Sequence, residues 1–178
     1  MKNIRFILGL TLTLILLSGM AQGQTAPKEG EKAPEIEQKL ITGEDFKLSD
    51  LRGKMVLLDF WAAWCKPCRQ ENPHIVALYE KYKDQEFENG NGLAIVSVSL
   101  DFKKEMWEKA IKDDKLSWPY HIGGHSGWKN PTAKKYSVKS IPTSFLIDGE
   151  GTIIGVNLRG DDLDKALRKE RKGGFFFL

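Results

Sequence analysis

Two stretches of this chain are apolar almost without interruption, Met55 to Trp61 and Leu93 to Leu100. Short runs of that kind suit strands buried on both faces of a parallel sheet. Each is followed by a segment of helical character. The first extends from about Cys65 to Lys83, and the second from Phe102 to Lys112, where Phe102, Met106, Ala110 and Ile111 recur at helical spacing. Farther along, the apolar runs Thr143 to Ile147 and Thr152 to Val156 flank Asp148-Gly149-Glu150-Gly151, a strong hairpin signal, so an antiparallel pair closes the sheet. Asp161 to Lys169 sets Leu163, Ala166 and Leu167 on one face and predicts a last helix packed on that sheet. Upstream, Glu37 to Ile41 and Phe46 to Leu48 flank Thr42-Gly43-Glu44-Asp45 and predict another hairpin, and Leu116 to Pro131, rich in Trp, Gly and His, reads as a connection. The order of elements is that of an α/β protein with one core.

The two ends depart from this pattern. Lys2 and Arg5 precede an uncharged apolar run from Phe6 to Leu17, and small residues follow at Gly19, Ala21 and Gly23. This is the layout of a secretory signal peptide, cut after Gly23 or after Ala21. An uncleaved anchor is the alternative, but a spanning helix needs about 20 apolar residues and the run stops well short of that at Ser18. The chain therefore divides into a signal peptide (1–23), an extended polar leader (24–33), a globular domain (34–170) and a tail (171–178) that ends Gly173-Gly174-Phe175-Phe176-Phe177-Leu178. An exposed aromatic run of that kind is an aggregation liability, or else docks on the core or a partner.

The whole chain carries a formal charge of +3, and loss of Lys2 and Arg5 with the signal peptide lowers it to +1, which gives no support to a nucleic-acid role. Cysteine is limited to Cys65 and Cys68. In an exported protein the pair can form a disulfide, yet so short a loop removes little chain entropy and makes a poor structural staple. Redox chemistry explains the pair better.

A Cys-x-x-Cys that opens a helix places its first sulfur beside unpaired backbone N–H groups and the positive end of the helix dipole, both of which favour thiolate. Cys65 is accordingly the nucleophile, and Cys68, one turn on, the resolving thiol. Lys66 adds positive charge, and Pro67 fixes the backbone in the first turn, where no donor is lost. The competing reading is a metal site completed by His121 and His125; the long gap from the cysteines argues against zinc, and in that loop histidines are more often solvated or locally hydrogen-bonded. His74 reads as a surface residue of the helix.

The run Asp59-Phe60-Trp61-Ala62-Ala63-Trp64-Cys65-Lys66-Pro67-Cys68-Arg69, with Pro73 downstream, resembles the active-site strand and helix of the thioredoxin superfamily. Ser140-Ile141-Pro142-Thr143 is similar to that family's loop with a cis proline facing the disulfide. The Leu-Ser-Asp-Leu-Arg-Gly-Lys approach to the strand, Glu71, Pro73, the segment Val98-Ser99-Leu100-Asp101 and Phe145-Leu146-Ile147-Asp148 resemble the TlpA/ResA branch over residues 30–170.

The resemblance implies a thioredoxin-like three-layer sandwich, a mixed central sheet flanked by helices, with an N-terminal hairpin extension and a central insert. It implies a reductase of disulfides in exported proteins, apocytochrome c among them, working in the periplasm without a cofactor and kept reduced by a membrane electron donor. It places Trp64, Lys66, Pro67, Ile141 and Pro142 around the active site, with Trp61 and Trp64 in an apolar docking surface unless Trp61 is core. Asp59 matches the buried aspartate of thioredoxin, where desolvation raises the pKa and lets the carboxyl relay a proton to or from Cys68. Glu71 matches an acid that ResA-like members carry near their thiols. Those members commonly have a neutral residue at the place of Asp59, so either acid can be the relay.

Three rivals share the fold. A peroxiredoxin needs a threonine or serine and a proline ahead of its cysteine, where this chain has Ala62 and Leu58. A copper-delivery protein usually has three residues between its cysteines. A thiol oxidase or isomerase shares the motif and differs in potential alone.

Overall fold

A computed structural model describes residues 25–173; the proposed signal peptide and most of the phenylalanine-rich tail lie outside the described residues. The elements run β1 (Glu37–Lys39), β2 (Asp45–Lys47), β3 (Met55–Trp61), α1 (Lys66–Tyr82), β4 (Glu86–Phe87), β5 (Gly90–Asn91), β6 (Leu93–Ser99), α2 (Lys104–Asp113), β7 (Tyr120–Gly123), α3 (Pro131–Lys135), β8 (Thr143–Ile147), β9 (Ile153–Val156) and α4 (Gly160–Glu170). The main sheet has the order β7-β6-β3-β8-β9. β3, β6 and β7 are parallel, and β8 and β9 are antiparallel to their neighbours. The two apolar runs therefore become the central strands, and every residue of both is buried.

Alternation along β3 sends neighbouring side chains to opposite faces. Phe60 faces Tyr136 and Phe145, with ring centroids 5.7 Å and 6.1 Å away, so the α3 side of the sheet is closed by aromatics. The Tyr136 hydroxyl donates to the Pro34 carbonyl at 2.6 Å and ties that layer to the N-terminal approach. On the other face α1 and α4 lie side by side, joined where Tyr82 and Lys81 both donate to Asp164 at 2.7 Å. The result is the thioredoxin-like three-layer fold, with β1 and β2 as the predicted hairpin.

The structure adds to or alters the sequence reading at four points. The polar leader is tied to the sheet: Gly30 N–H donates to Ile153 and Ala33 N–H to Gly151, while Ile153 N–H donates back to Glu31, so residues 30–33 line the open edge of β9. The supposed connection 116–131 contains β7, whose Tyr120-His121-Ile122-Gly123 is too short and too polar to show strand alternation. In α2 the predicted stripe is rotated. Phe102 precedes the helix and, with Met106, faces solvent, because the larger Trp107 takes the buried side together with Ala110. Trp61 is wholly buried and belongs to the core, not to a docking surface. Among the described residues no helix is long and apolar enough to cross a membrane.

Candidate active site

β3 ends at Trp61, and a short loop turns the chain into α1 with Cys65 as the N-cap and Pro67 in the first turn. Cys65 and Cys68 form a disulfide with Cα atoms 5.3 Å apart. The Cys68 N–H, one of the donors that a helix start leaves unpaired, points at Cys65 Sγ from 3.3 Å. The same donor and the helix dipole are in place to hold a thiolate there after reduction. Lys66 and Pro67 are exposed, whereas both cysteines are nearly covered.

The loop is fixed from two sides. Both carboxylate oxygens of buried Asp101 accept from Ala63 N–H, at 3.1 Å and 2.9 Å, and Asp101 also accepts from Ser99 Oγ at 2.7 Å. Arg69, one turn into α1, donates to the Ala63 carbonyl at 3.3 Å and is itself gripped by Asp114, which also accepts from Asn72 at 2.6 Å. The position of the cysteines is thus set from the segments before and after α2. Asp101, Arg69 and Asp114 do not stand out in the sequence as site residues; an acid directly after an apolar strand is the one available signal.

The Ile141–Pro142 peptide is cis. Phe60 pairs with Thr143, so the antiparallel register carries Ile141 and Pro142 to the end of β3 from which α1 departs. Ile141 is partly buried against the core. Arg159 Nη2 donates to the Pro142 carbonyl.

Asp59 is 5% exposed and faces the α1 and α4 side of the sheet. Burial pushes its carboxyl up to about 7, Arg159 pulls it down and the negative charge of Glu71 pushes it up again. Glu71 lies one turn beyond Cys68 on the same face of α1, accepts the Gly160 N–H at 2.8 Å and stands 3.6 Å from His74 Nδ1. Asp59 therefore feels the charges of a basic and an acidic residue, the second of them one turn from Cys68 on α1. Arg159 carries no signal in the sequence, since only the return of the chain through β8 and β9 brings it to Asp59.

The histidines lie elsewhere. His121 is buried in β7, its ring stacked on Trp118 at 5.7 Å and its Nε2 3.3 Å from the Leu116 carbonyl; burial lowers its pKa to about 4. His125 Nδ1 contacts the Gly123 carbonyl at 3.0 Å, and His74 is an exposed residue of α1. Among the described residues no group of three or more His, Cys, Asp or Glu side chains could hold a metal ion.

A thioredoxin fold with a disulfide at the N-terminus of its first long helix and a cis proline at the adjoining strand end defines a thiol–disulfide oxidoreductase. Comparison with known proteins gives the family. The AhpC/TSA family model matches residues 30–156. A thiol-disulfide oxidoreductase ResA of Bacillus cereus is 35% identical over 162 residues, 86% of this chain and 88% of that one. The thioredoxin-like protein YneN of Bacillus subtilis is 37% identical over 134 residues, 74% of this chain and 72% of that one. Among solved structures, the thioredoxin domain of a thiol-disulfide oxidoreductase from Bacteroides vulgatus superposes with a TM-score of 0.72 at 34% identity, covering 83% of this chain and 100% of that one. A thiol:disulfide interchange protein from Bacteroides sp. gives 0.67 at 35%, covering 80% and 89%. The chain belongs to the AhpC/TSA family, in its ResA-like branch of thiol–disulfide oxidoreductases.

Proposed function

We propose that this oxidoreductase works outside the cytoplasm as a reductase of disulfides in exported proteins, apocytochrome c among the candidates, and that a membrane-bound dithiol donor restores it. The N-terminal charge and hydropathy pattern supports export, and the ResA-like kinship supports the direction of electron flow.

In the reaction, the Cys65 thiolate attacks one sulfur of the substrate disulfide and a mixed disulfide forms as the first substrate thiolate leaves. Cys68, deprotonated, then attacks Cys65 Sγ, forms the Cys65–Cys68 bond and expels the second substrate thiolate. The substrate gains two electrons and two protons; the donor dithiol later returns both to the protein. We assign the proton transfer at Cys68 to Asp59. The observation that carries this is that Asp59 is a buried carboxyl in β3, raised by burial to about 7 and sensitive to the charge of Glu71 one turn from Cys68, whereas Glu71 itself is engaged by the Gly160 amide. Glu71 and Arg159 then act as opposed charges on Asp59.

The test is an equilibrium titration of the Cys65–Cys68 couple in thiol/disulfide buffers, read by alkylation mass. A midpoint below about −230 mV is expected; one near about −120 mV would make the protein an oxidant and overturn the reading.

A further inference from the structure

Large apolar side chains that remain exposed in this fold are few and gathered. Among the described residues they are Trp64, Phe102, Met106 and Trp128, at 46%, 63%, 50% and 41% exposure. Trp64 is the neighbour of Cys65, and its ring meets that of Trp128, centroids 6.5 Å apart. Trp128 is held by the turn that begins at Gly127, whose N–H donates to the Asp101 carbonyl at 3.2 Å. The Phe102 ring lies so close over Gly127 that a Cβ there would stand 2.1 Å from Phe102 Cε1, and the residue has φ +50°, which also suits glycine. The three rings therefore form one platform running from the disulfide onto the segments around α2, with Met106 in the first turn of that helix.

Such exposure has a cost. Each large ring left in water forgoes hydrophobic stabilisation, and contiguous apolar surface invites association. A platform of this kind, continuous with a redox disulfide, touches whatever brings a sulfur to Cys65. Its rim is basic: Lys66 follows the first cysteine, Lys103 adjoins Phe102 and Lys129 adjoins Trp128, all exposed. Lys104 is paired with Glu108 at 3.6 Å; of the acids adjoining these residues in sequence, Asp101 is buried and Glu105, next to Met106, is exposed.

We propose that this platform is the recognition surface for the polypeptide that carries the target disulfide. It takes an apolar, preferably aromatic, side chain close to the target cysteine, in a segment whose remaining residues are acidic rather than basic. The inference rests on the reductase reading above and adds to it a substrate class. Aromatic contact supplies affinity, and the lysine rim supplies selectivity and rate.

The test uses the full reduced chain in single turnover against three probes: a synthetic peptide disulfide with phenylalanine and glutamate around its cysteine, the same peptide with serine and lysine in their place, and bis(2-hydroxyethyl) disulfide. The first peptide is expected to react about tenfold faster than the second. Trp128→Ser and Phe102→Ser, both changes at exposed positions, are expected to shrink that ratio to about twofold, and Lys129→Glu to shift it toward the lysine peptide. Equal rates for the two peptides, or a ratio that survives both ring substitutions, overturn the proposal while the small disulfide still reports a working reductase. A chain that reduces none of the three overturns the reductase reading and this inference with it.

Discussion

Arg159 donates to the carbonyl oxygen of Pro142 and is also the positive charge that acts on buried Asp59. The residue that heads α4 thereby joins the proline loop to the buried carboxyl of β3. Its neighbours complete the link: Ser144, the register partner of Asp59, donates to the Leu158 carbonyl at 3.1 Å.

Removal of that charge raises the Asp59 pKa further above 7, because burial and Glu71 then act unopposed. Arg159→Met is expected to move the midpoint of the pH dependence of mixed-disulfide resolution upward, with Arg159→Lys restoring part of the shift. A midpoint that stays in place or falls contradicts the assignment.

Cys68→Ser is expected to accumulate a covalent adduct with a disulfide substrate through Cys65, visible as an added mass that a reductant releases. Cys65→Ser should accumulate none, since Cys65 alone holds the N-cap position, where the Cys68 N–H and the helix dipole favour a thiolate, while Cys68 lies inside the first turn. Adducts of equal abundance in both variants would reverse or abolish the assigned roles.

Two buried groups oppose each other in the pH dependence of stability. Asp59 titrates near 7 folded against 3.8 as a free side chain, so the folded state holds the extra proton and stability falls as pH rises from about 4 to 7. His121 titrates near 4 folded against 6.5 free, so the unfolded state holds the extra proton and stability rises from pH 4 to 6.5. Each slope approaches ~1.4 kcal/mol per pH unit, and in the native chain they nearly cancel. Denaturant titrations of Asp59→Asn should show stability climbing over that window, and those of His121→Asn should show it falling. A flat profile in both variants would sink the account.

Asp101→Ala leaves the Ala63 amide and the Ser99 hydroxyl without their acceptor in a buried place. The expected loss is about 2–3 kcal/mol in chemical denaturation, with faster hydrogen exchange at Ala63. An unchanged exchange rate would show that the loop before Cys65 is held in another way.

The two tryptophans that bracket the Ala62-Ala63 turn should behave oppositely. Trp61→Ala empties a fully buried site and should cost about 3–5 kcal/mol, whereas Trp64→Ala, at 46% exposure, should cost about 0.5 kcal/mol or less. Thermal or denaturant midpoints decide it, and comparable losses would mean that the Trp64 ring is also part of the packing.

The two central strands are plain in the chain because a strand buried on both faces has to be apolar throughout, and α1 because a Cys-x-x-Cys with proline in the first turn marks a helix start. β7 is hidden, since a brief strand containing His and Gly has no alternation to read. The α2 stripe is misplaced because Phe102-Met106-Ala110 and Trp107-Ala110-Ile111 both satisfy helical spacing, and only packing volume chooses between them.

By itself the sequence determined the α/β order, the paired sulfurs at a helix start, an acid in an apolar strand and, through resemblance, the proline loop. These are local matters, governed by propensity, periodicity and adjacent residues. The tertiary structure alone decided that Trp61 is core and Trp64 surface, that Asp101 and Arg69 clamp Ala63, that the charges of Arg159 and Glu71 act on Asp59, and that Trp64, Trp128 and Phe102 form one platform. The physical reason is distance along the chain. Electrostatic and packing energies depend on separation in space, and residues far apart in sequence become neighbours only when strand register and helix packing set them there.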